Sequence, residues 1–277
     1  MPGLYIVATP IGNLADITLR AIATLANADM IYCEDTRHSR TLTAHFGIKT
    51  PLRAYHEHNA EAVRPEILAS LAKGQRIALI SDAGTPLVSD PGYALVRDAI
   101  AAGHHVTAAP GPSAAITALT LAGLPTDTFL FAGFLPPKQQ ARRARLAELA
   151  AVPATLVFYE APSRIATTLA DIAETLGDRT VAVARELTKL HEEVVRGTAS
   201  DIATRFTAIE PRGEFVLLVG LPEKSVPNDK DIEGRLTVAL QTMTLKDAAH
   251  VVSEALGVSR ARVYDLALAI RKASPRS

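Results

Sequence analysis

Apolar positions in the first 125 residues follow two patterns that alternate along the chain. Short runs rich in β-branched residues predict strands, and the segments between them carry apolar residues at helical spacing. The predicted strands span residues 4–9, 30–34, 51–55, 76–81 and 105–109, and the predicted helices span residues 19–28, 38–46, 60–73, 92–102 and 113–123. Because strands separated by helices form parallel sheets with crossover connections, residues 1–125 are predicted to form an N-terminal α/β domain with a parallel sheet.

A second block of alternating patterns covers residues 126–221. The predicted strands span residues 129–136, 155–160, 180–186, 192–198 and 214–220, and the predicted helices span residues 138–150, 162–176 and 200–207. This order predicts a second α/β domain, whose sheet has mixed strand direction.

The last part of the chain has a different pattern. Residues 222–231 are polar and contain proline, which predicts a linker. Residues 232–277 have no strand pattern and predict a small all-α domain, in which Gly257 ends one helix and Ser259 caps the next. Their glycine-bearing turn resembles that of a helix-turn-helix, and a helical hairpin used only for packing or dimerisation is the alternative.

Composition places the chain among ordinary folded proteins. Apolar residues make up 48% and charged residues 21% of the 277 positions, and no apolar run approaches the roughly 20 residues that span a bilayer. The N-terminal apolar run lacks a preceding basic region and stops at Pro10, so it predicts a strand rather than a signal peptide. The single cysteine, Cys33, excludes an intramolecular disulfide and is typical of a reducing compartment. We therefore expect a cytoplasmic protein without membrane association.

The formal net charge is zero, so charge gives information about binding only where it is concentrated locally. Two basic segments stand out, one with Lys138, Arg142, Arg143 and Arg145, and one with Arg260, Arg262, Arg271, Lys272 and Arg276. Each fits an ordinary solvated helix face, and each would also serve a phosphate backbone.

Glycine, proline and small polar residues cluster after three predicted strands, in residues 9–14, 81–92 and 110–115. Ser89 or Asp90 is predicted to cap the helix that follows the second of these loops, with Pro91 in its first turn, and Ser113 to cap the helix after the third. Loops that follow parallel strands meet at one rim of the sheet, where α/β proteins bind their ligands. Three such loops predict a ligand site.

Several familiar sites do not fit these loops. The first loop has one glycine, Gly12, where a dinucleotide fingerprint has three, and Pro10 lacks an amide for a phosphate. The sequence contains neither a P-loop nor a nucleophile elbow, and its paired histidines lack the spacing of metal ligands. We therefore expect a cofactor without a pyrophosphate and no metal.

Eight segments between Leu4 and Gly220 resemble, in the same order, the 16S rRNA cytidine 2′-O-methyltransferase branch of the tetrapyrrole methylase superfamily. They are LYIVATPIGNLADITLRA, CEDTR, SDAGTPLVSDPG, APGPSAAITALTLAG, FAGFLPPK, FYEAPSRI, ARELTKLHEE and RGEFVLLVG. The helical tail resembles the small C-terminal domain of that branch. The resemblance implies a class III methyltransferase: a homodimer of two-domain α/β subunits, with S-adenosylmethionine bound between the two domains.

The resemblance also implies a set of cofactor-binding residues. Gly84-Thr85-Pro86 stand where related enzymes have Gly-Asp-Pro; because Thr85 replaces the aspartate, either Asp82 or backbone groups hold the amino acid end of the cofactor. Ser113 and Ala114 match a Thr-Ala pair beside the methionine moiety. The complete expected set is Pro10, Gly12, Asp82, Gly84, Thr85, Val88, Ser113, Ala114, Tyr159 and Glu160.

The expected reaction is methylation of the 2′-oxygen of one cytidine in the decoding region of 16S rRNA, with the assembled 30S subunit as the substrate. A ribose hydroxyl is a weak nucleophile, so a base or a charge that stabilises the alkoxide is needed. The candidates are Glu34, Asp35, Arg37, Glu160, Arg185, Glu186 and Lys189. Structural ion pairs are the alternative role for these residues, and the sequence leaves the identity of the base open.

Two other functions remain open at this point. One is methylation of a small acceptor, such as a precorrin, or of a modified histidine on an elongation factor. The other is a catalytically silent RNA-binding factor in ribosome assembly. The basic segment 138–145 and the helical tail favour a large anionic acceptor.

Overall fold

The computed structural model describes residues 1–208, 210–222 and 228–273. The chain divides into two compact units, Met1–Pro222 and Glu223–Ser277. The first unit contains two five-stranded sheets, and the second contains helices. Among the described residues, no helix is both long and apolar enough to cross a membrane.

The first sheet is entirely parallel and has the strand order β3-β2-β4-β1-β5. Its strands are β1 (Gly3–Val7), β2 (Met30–Cys33), β3 (Leu52–Ala54), β4 (Arg76–Leu79) and β5 (Val106–Ala109). Helices cover both faces, so the central strands are apolar on both sides. The connection after β1 leads towards one edge of the sheet and the connection after β4 towards the other, which opens a crevice where the two strands end.

Four of the helices in this half of the unit cover the first sheet. They are α1 (Leu19–Asn27) and α2 (Thr36–His45) on one face, and α3 (Ala60–Ala72) and α4 (Tyr93–Ala101) on the other. The next helix, α5 (Ala114–Ala122), packs against the second sheet through Ala115, Ala118 and Leu119. This helix therefore carries the loop after β5 to the second sheet.

The second sheet is mixed, as the sequence predicted, and has the order β6-β7-β10-β8-β9. Its strands are β6 (Phe129–Phe134), β7 (Thr155–Glu160), β8 (Thr180–Arg185), β9 (Glu193–Thr198) and β10 (Phe215–Val219). The face opposite α5 is covered by α6 (Gln139–Leu149), α7 (Ile165–Leu176) and α8 (Ala199–Thr207). The strand pair β6-β7 is parallel and the other pairs are antiparallel.

The basic segment 138–145 serves the packing of α6 on α7. Arg142 is buried, and its Nε donates to Oδ2 of Asp171 at 2.7 Å. Arg143 donates to the other oxygen of Asp171 and to Glu174, while Arg145 pairs with Glu148. These arginines have carboxylate partners within the fold, so the segment no longer favours an anionic acceptor.

The second unit contains α9 (Asp229–Ala239), α10 (Leu245–Leu256) and α11 (Arg260–Ala273), which share one apolar core. Gly257 ends α10 in the left-handed conformation, and Oγ of Ser259 accepts from the Arg262 amide, so both predicted helix boundaries are confirmed. Helix α9 begins inside the predicted linker 222–231, because Asn228 and Asp231 form a capping box. Residues 223–227 of that linker lie outside the described residues.

Two predicted helix starts and one predicted capping hydrogen bond are corrected. Helix α4 begins after Gly92, which has a φ of +136° and is the N-cap, so neither Ser89 nor Asp90 caps it. Ser113 is the N-cap residue of α5, but its side chain makes no capping hydrogen bond. Helix α7 begins at Ile165 rather than at Pro162, because residues 162–164 form a turn.

Candidate functional site

A cavity of about 320 Å³ lies between the carboxyl ends of the first sheet and the second sheet. The loops after β4 and β5 supply residues 83–85, 88–90, 113 and 114 of its wall. The second sheet and its loops supply Phe134, residues 159–162, Leu187 and residues 213–216. Its size is that of a small-molecule site, and we call it the first cavity.

The backbone of two loops around this cavity is strained. Leu87 and Ser89 in the loop after β4 have φ values of +73° and +63°, and Glu186 and Thr188 in the loop after β8 have φ values of +50° and +66°. Residues with side chains rarely adopt this conformation, and it persists only where the surrounding structure enforces it. Within the described residues these four are the non-glycine residues with positive φ, and all four lie in loops that border the cavity.

The lining of the first cavity fits S-adenosylmethionine. Phe134 and Tyr159 pack edge to face with ring centroids 5.6 Å apart, and Ile11 and Val216 add apolar surface suited to a flat adenine ring. Gly84 has a φ of +78°, and a Cβ built there would lie 3.3 Å from Cγ2 of Ile11, so the glycine keeps this wall open. The cofactor carries a sulfonium and an ammonium group, which acidic residues attract.

Asp90 supplies such an acidic group. Burial and then the negative charge of Glu34 raise the pKa of its carboxyl to about 6. A carboxyl with a pKa near 6 ionises readily when a cation binds beside it. Glu214 is a second carboxylate in the same lining.

A second cavity, of about 440 Å³, adjoins the first. Ile11, Ala83 and Glu214 line both cavities. The remaining wall comes from the loop after β1, from α2 and from the loop after β4, and includes Thr9, Pro10, Gly12, Leu14, His38, Ser39, Thr41, Leu42, Ile80, Ser81, Asp82 and Lys189. Its charged lining residues, Asp82, Glu214 and Lys189, include a cation, whereas those of the first cavity, Asp90, Glu160 and Glu214, are all acidic.

Backbone pairing and one long-range hydrogen bond hold the loops in this region. Thr9 and Gly84 pair in both directions, with N···O distances of 2.8 and 3.1 Å, and so tie the loop after β1 to the loop after β4. The amide of Asn13 donates to Oγ1 of Thr188 at 3.1 Å, which joins the first loop to the loop after β8. The two halves of the first unit therefore meet directly beside both cavities.

Lys189 is held at the boundary of the two cavities. Its Nζ donates to Oε1 of Glu186 at 3.0 Å and to Oε2 of Glu214 at 2.8 Å, and its aliphatic stem packs against Gly12. Burial acts to lower the pKa of this ammonium, but the hydrogen bonds to Glu214 and Glu186 outweigh it and raise the pKa. Lys189 is therefore a fixed cation that does not act as a base.

The expected cofactor residues divide between the two cavities. Gly84, Thr85, Val88, Ser113, Ala114, Tyr159 and Glu160 line the first cavity. Pro10, Gly12 and Asp82 line the second. Oδ1 of Asp82 accepts from the amide of Asp35 at 3.1 Å, which draws its side chain towards β2.

Most of the expected catalytic residues lie outside the lining of the two cavities. Lys189 lines the second cavity and Glu160 the first, whereas Glu34, Asp35, Arg37, Arg185 and Glu186 line neither. Asp35 caps α2 and pairs with Arg37, whose hydrogen bonds lower the pKa of that carboxyl to about 2. Burial, and then the charge of Asp82, raises the pKa of Glu34.

Two more of these side chains have structural partners. Both carboxylate oxygens of Glu160 are engaged, because Oε1 accepts from Nε of Arg164 and from the Ala161 amide and Oε2 accepts from Thr168. Nε of Arg185 donates to the carbonyl of residue 212 at 2.9 Å. The ion-pair alternative therefore describes Glu160 well.

The sequence-based prediction missed Glu214, Asp90 as a lining residue, and the α2 residues His38 and Ser39. Glu214 lies in the segment RGEFVLLVG, which the resemblance had already marked, so its acidic side chain was a usable signal. His38 and Ser39 gave no such signal, because on a helix they look like ordinary polar residues.

A family model for the tetrapyrrole (corrin/porphyrin) methylases matches residues 3–203, and a model for the RsmI C-terminal HTH domain matches residues 226–271. The chain therefore belongs to the tetrapyrrole methylase family. The prediction of an S-adenosylmethionine-dependent methyltransferase with this fold is confirmed.

Its relatives within that family share one name. Proteins named ribosomal RNA small subunit methyltransferase I are 50% identical in Mesorhizobium japonicum, over 99% of this chain and 94% of the relative, and 52% identical in Erythrobacter litoralis, over 98% and 96%. The fold is similar to that of uroporphyrin-III C-methyl transferase from Thermus thermophilus, solved in complex with S-adenyl homocysteine. That similarity has a TM-score of 0.54 at 19% identity and covers 79% of this chain and 97% of that one.

Proposed function

We propose that this protein methylates the ribose 2′-oxygen of a cytidine in the decoding region of 16S ribosomal RNA. The name shared by its relatives supports small-subunit rRNA as the acceptor, and the resemblance described above supports the cytidine and its 2′-oxygen. The single observation that carries the proposal is the pair of adjoining cavities, one suited to S-adenosylmethionine and one lined by the cation Lys189.

The first cavity is assigned to the methyl donor. Tyr159 and Phe134 enclose the adenine, and the loop after β4 with Asp90 attracts the positively charged methionine part. When bound, S-adenosylmethionine supplies its methyl group to an attacking oxygen, so that a C–O bond forms as the C–S bond breaks and S-adenosylhomocysteine remains. The protein contributes mainly by holding donor and acceptor in line.

Lys189 and Glu214 are assigned to the acceptor oxygen. Lys189 is a fixed cation beside the boundary of the cavities, so it stabilises negative charge that develops on the ribose oxygen. Among the described carboxylates, Glu214 lines both cavities, and its side chain is 74% exposed, so it takes up the hydroxyl proton and passes it to water. Glu186 holds Lys189 in place.

Assembled 30S subunits are the proposed substrate. The arginines at 142, 143 and 145 are engaged within the fold, so a shaped ribosomal surface has to supply much of the specificity. The helical second unit is proposed to contact RNA, since its family model is that of an HTH domain. We further propose a homodimer that works in the cytoplasm, following the family resemblance.

The test uses labelled S-adenosylmethionine with 30S subunits, naked 16S rRNA and a precorrin as separate acceptors. We expect label in 30S subunits, on one cytidine whose phosphodiester resists alkaline cleavage because its 2′-hydroxyl is blocked. Label on a base would contradict the ribose assignment, and label only in the small acceptor would favour that alternative. Light scattering of the same preparation tests the dimer, for which we expect twice the chain mass.

A further inference from the structure

The second cavity has the size of a site for a nucleoside, and the residues at one of its ends are suited to distinguish one base from another. Its volume of about 440 Å³ is in the range of small-ligand sites, and it shares three lining residues with the first cavity. An acceptor in this space would face a methyl donor in the first cavity. This inference rests on the proposed function.

Lys189 and Asp82 line this cavity from different loops. Lys189 packs on Gly12, which follows β1, whereas Asp82 follows β4 and accepts from Asp35, which follows β2. In the sheet order β2-β4-β1-β5, β2 and β1 lie on opposite sides of β4, so the hydrogen bond to Asp35 is on the side of β4 away from β1. Two strand spacings of about 4.8 Å each separate β2 from β1, a span of roughly the length of a nucleoside.

The Asp82 carboxylate can accept further hydrogen bonds. Within the described part of the chain, one hydrogen bond to the Asp82 carboxylate is present, from the Asp35 amide to Oδ1. Ser39 lines the same cavity and is 2% exposed, and its Oγ has no nitrogen or oxygen partner among the residues described, while the weakly hydrogen-bonding thiol of Cys33 lies beside it. A buried hydroxyl with only a thiol beside it has capacity for a stronger hydrogen bond, which a ligand in the cavity can supply.

We propose that the second cavity holds the acceptor nucleoside, with the ribose towards Lys189 and the base towards Asp82 and Ser39, and that Asp82 selects cytidine over uridine. A carboxylate accepts a hydrogen bond from the amino group of cytosine, but it repels the carbonyl oxygen that uracil has at that position. The cytidine enters this cavity unstacked from its neighbours, as bases do in enzymes that act on single nucleotides.

The decisive variant is Asp82→Asn. Asparagine keeps the oxygen that accepts from the Asp35 amide, but its amino group can donate to the carbonyl of uracil. Activity is measured as kcat/KM on 30S subunits reconstituted with cytidine or uridine at the methylated position. We expect the cytidine preference of the native protein to fall about tenfold or more. S-adenosylmethionine affinity, measured by calorimetry, should stay unchanged.

Asp201→Asn, at an exposed position on α8, is the matched control and should keep the native preference. An unchanged cytidine preference in Asp82→Asn overturns the inference, and a loss of cofactor affinity without a change in preference returns Asp82 to the cofactor. A native protein that methylates neither subunit refutes the proposed function itself.

A second variant tests the cavity without Asp82. Thr41 lies on the exposed side of α2 and lines the second cavity, so Thr41→Trp should fold and obstruct it. We expect KM for 30S subunits to rise at least tenfold while cofactor affinity stays native. Native KM in Thr41→Trp shows that the acceptor binds elsewhere.

Discussion

Lys189 and Glu214 form an ion pair at the boundary of two adjoining cavities, with Nζ 2.8 Å from Oε2. Glu214 lines both cavities. Lys189 follows the strained residue Thr188, and its stem packs against Gly12. The pair therefore lies where a methyl donor in one cavity would meet an acceptor oxygen in the other.

Removal of this cation should affect the chemical step. Lys189→Ala is expected to lower kcat about 10² to 10³-fold, the usual effect of deleting one group that stabilises an oxyanion. The affinity for S-adenosylmethionine should change little, because Lys189 does not line the first cavity. Single-turnover methylation of 30S subunits measures the effect, with Lys49→Ala as a control on the exposed surface. Native kcat in Lys189→Ala contradicts the role assigned to this lysine.

Filling the first cavity should abolish cofactor binding. Ala114 lines it at the start of α5, so Ala114→Trp places an indole in the space assigned to S-adenosylmethionine. We expect no binding that calorimetry can detect, together with native secondary structure. Thr120→Trp, on an exposed position of the same helix, should bind normally. A folded Ala114→Trp variant with native affinity would place the cofactor elsewhere.

The raised pKa of Asp90 makes stability depend on pH. Its value is about 6 in the folded protein against an ordinary 3.8, so the folded state binds the proton more tightly than the unfolded state. Stability therefore falls as pH rises from about 4 to about 6 and stays lower above that. Asp90→Asn removes this penalty and should raise Tm more at pH 8 than at pH 4.5.

Thermal unfolding at the two pH values tests this prediction, and Asp201→Asn controls for the loss of an exposed aspartate. The same ionisation should favour cationic ligands, so we also expect native cofactor affinity to rise between pH 5 and pH 7. An equal change of Tm at both pH values would show that burial does not perturb Asp90.

The buried Arg142–Asp171 pair predicts a large loss of stability on mutation. Both side chains are at most 5% exposed, and the Asp171 carboxylate also accepts from Gln139 and Arg143. Asp171→Ala leaves a buried guanidinium without its partner, which costs about 3–5 kcal/mol in the free energy of unfolding. Glu174→Ala, at a carboxylate 61% exposed, should cost less than about 1 kcal/mol. Urea unfolding of the two variants distinguishes these values.

Removal of the helical unit should separate cofactor binding from RNA binding. A chain that ends at Pro222 keeps both cavities and the contacts around them, so we expect native affinity for S-adenosylmethionine. Its affinity for 30S subunits should fall and depend less steeply on salt, because fewer phosphates are contacted. Titrations at two salt concentrations test this. Native methylation rates in the truncated protein would assign the unit a structural role.

The sequence by itself determined the order and type of nearly all elements, and the loops that form the site. Strand β7 (Thr155–Glu160) follows from its apolar run, and the end of α10 follows from Gly257, because both depend on neighbours within a few positions. The glycine- and proline-bearing loops were visible for the same reason. Helix starts were less visible: α4 begins after Gly92, which packs against Leu79 and Leu87, and α7 begins three residues after Pro162.

Only the tertiary structure decided which residues share a cavity. The Asn13 amide and Thr188, 175 positions apart, join the two loops beside which Lys189 lies, and no local pattern encodes that contact. The sequence placed Arg142 in a basic segment, whereas the structure pairs it with Asp171 of α7. Burial and pairing of this kind depend on long-range packing. They set the pKa of Asp90, the burial of Ser39 and the position of Lys189. Local propensity set the helices and strands that carry these residues.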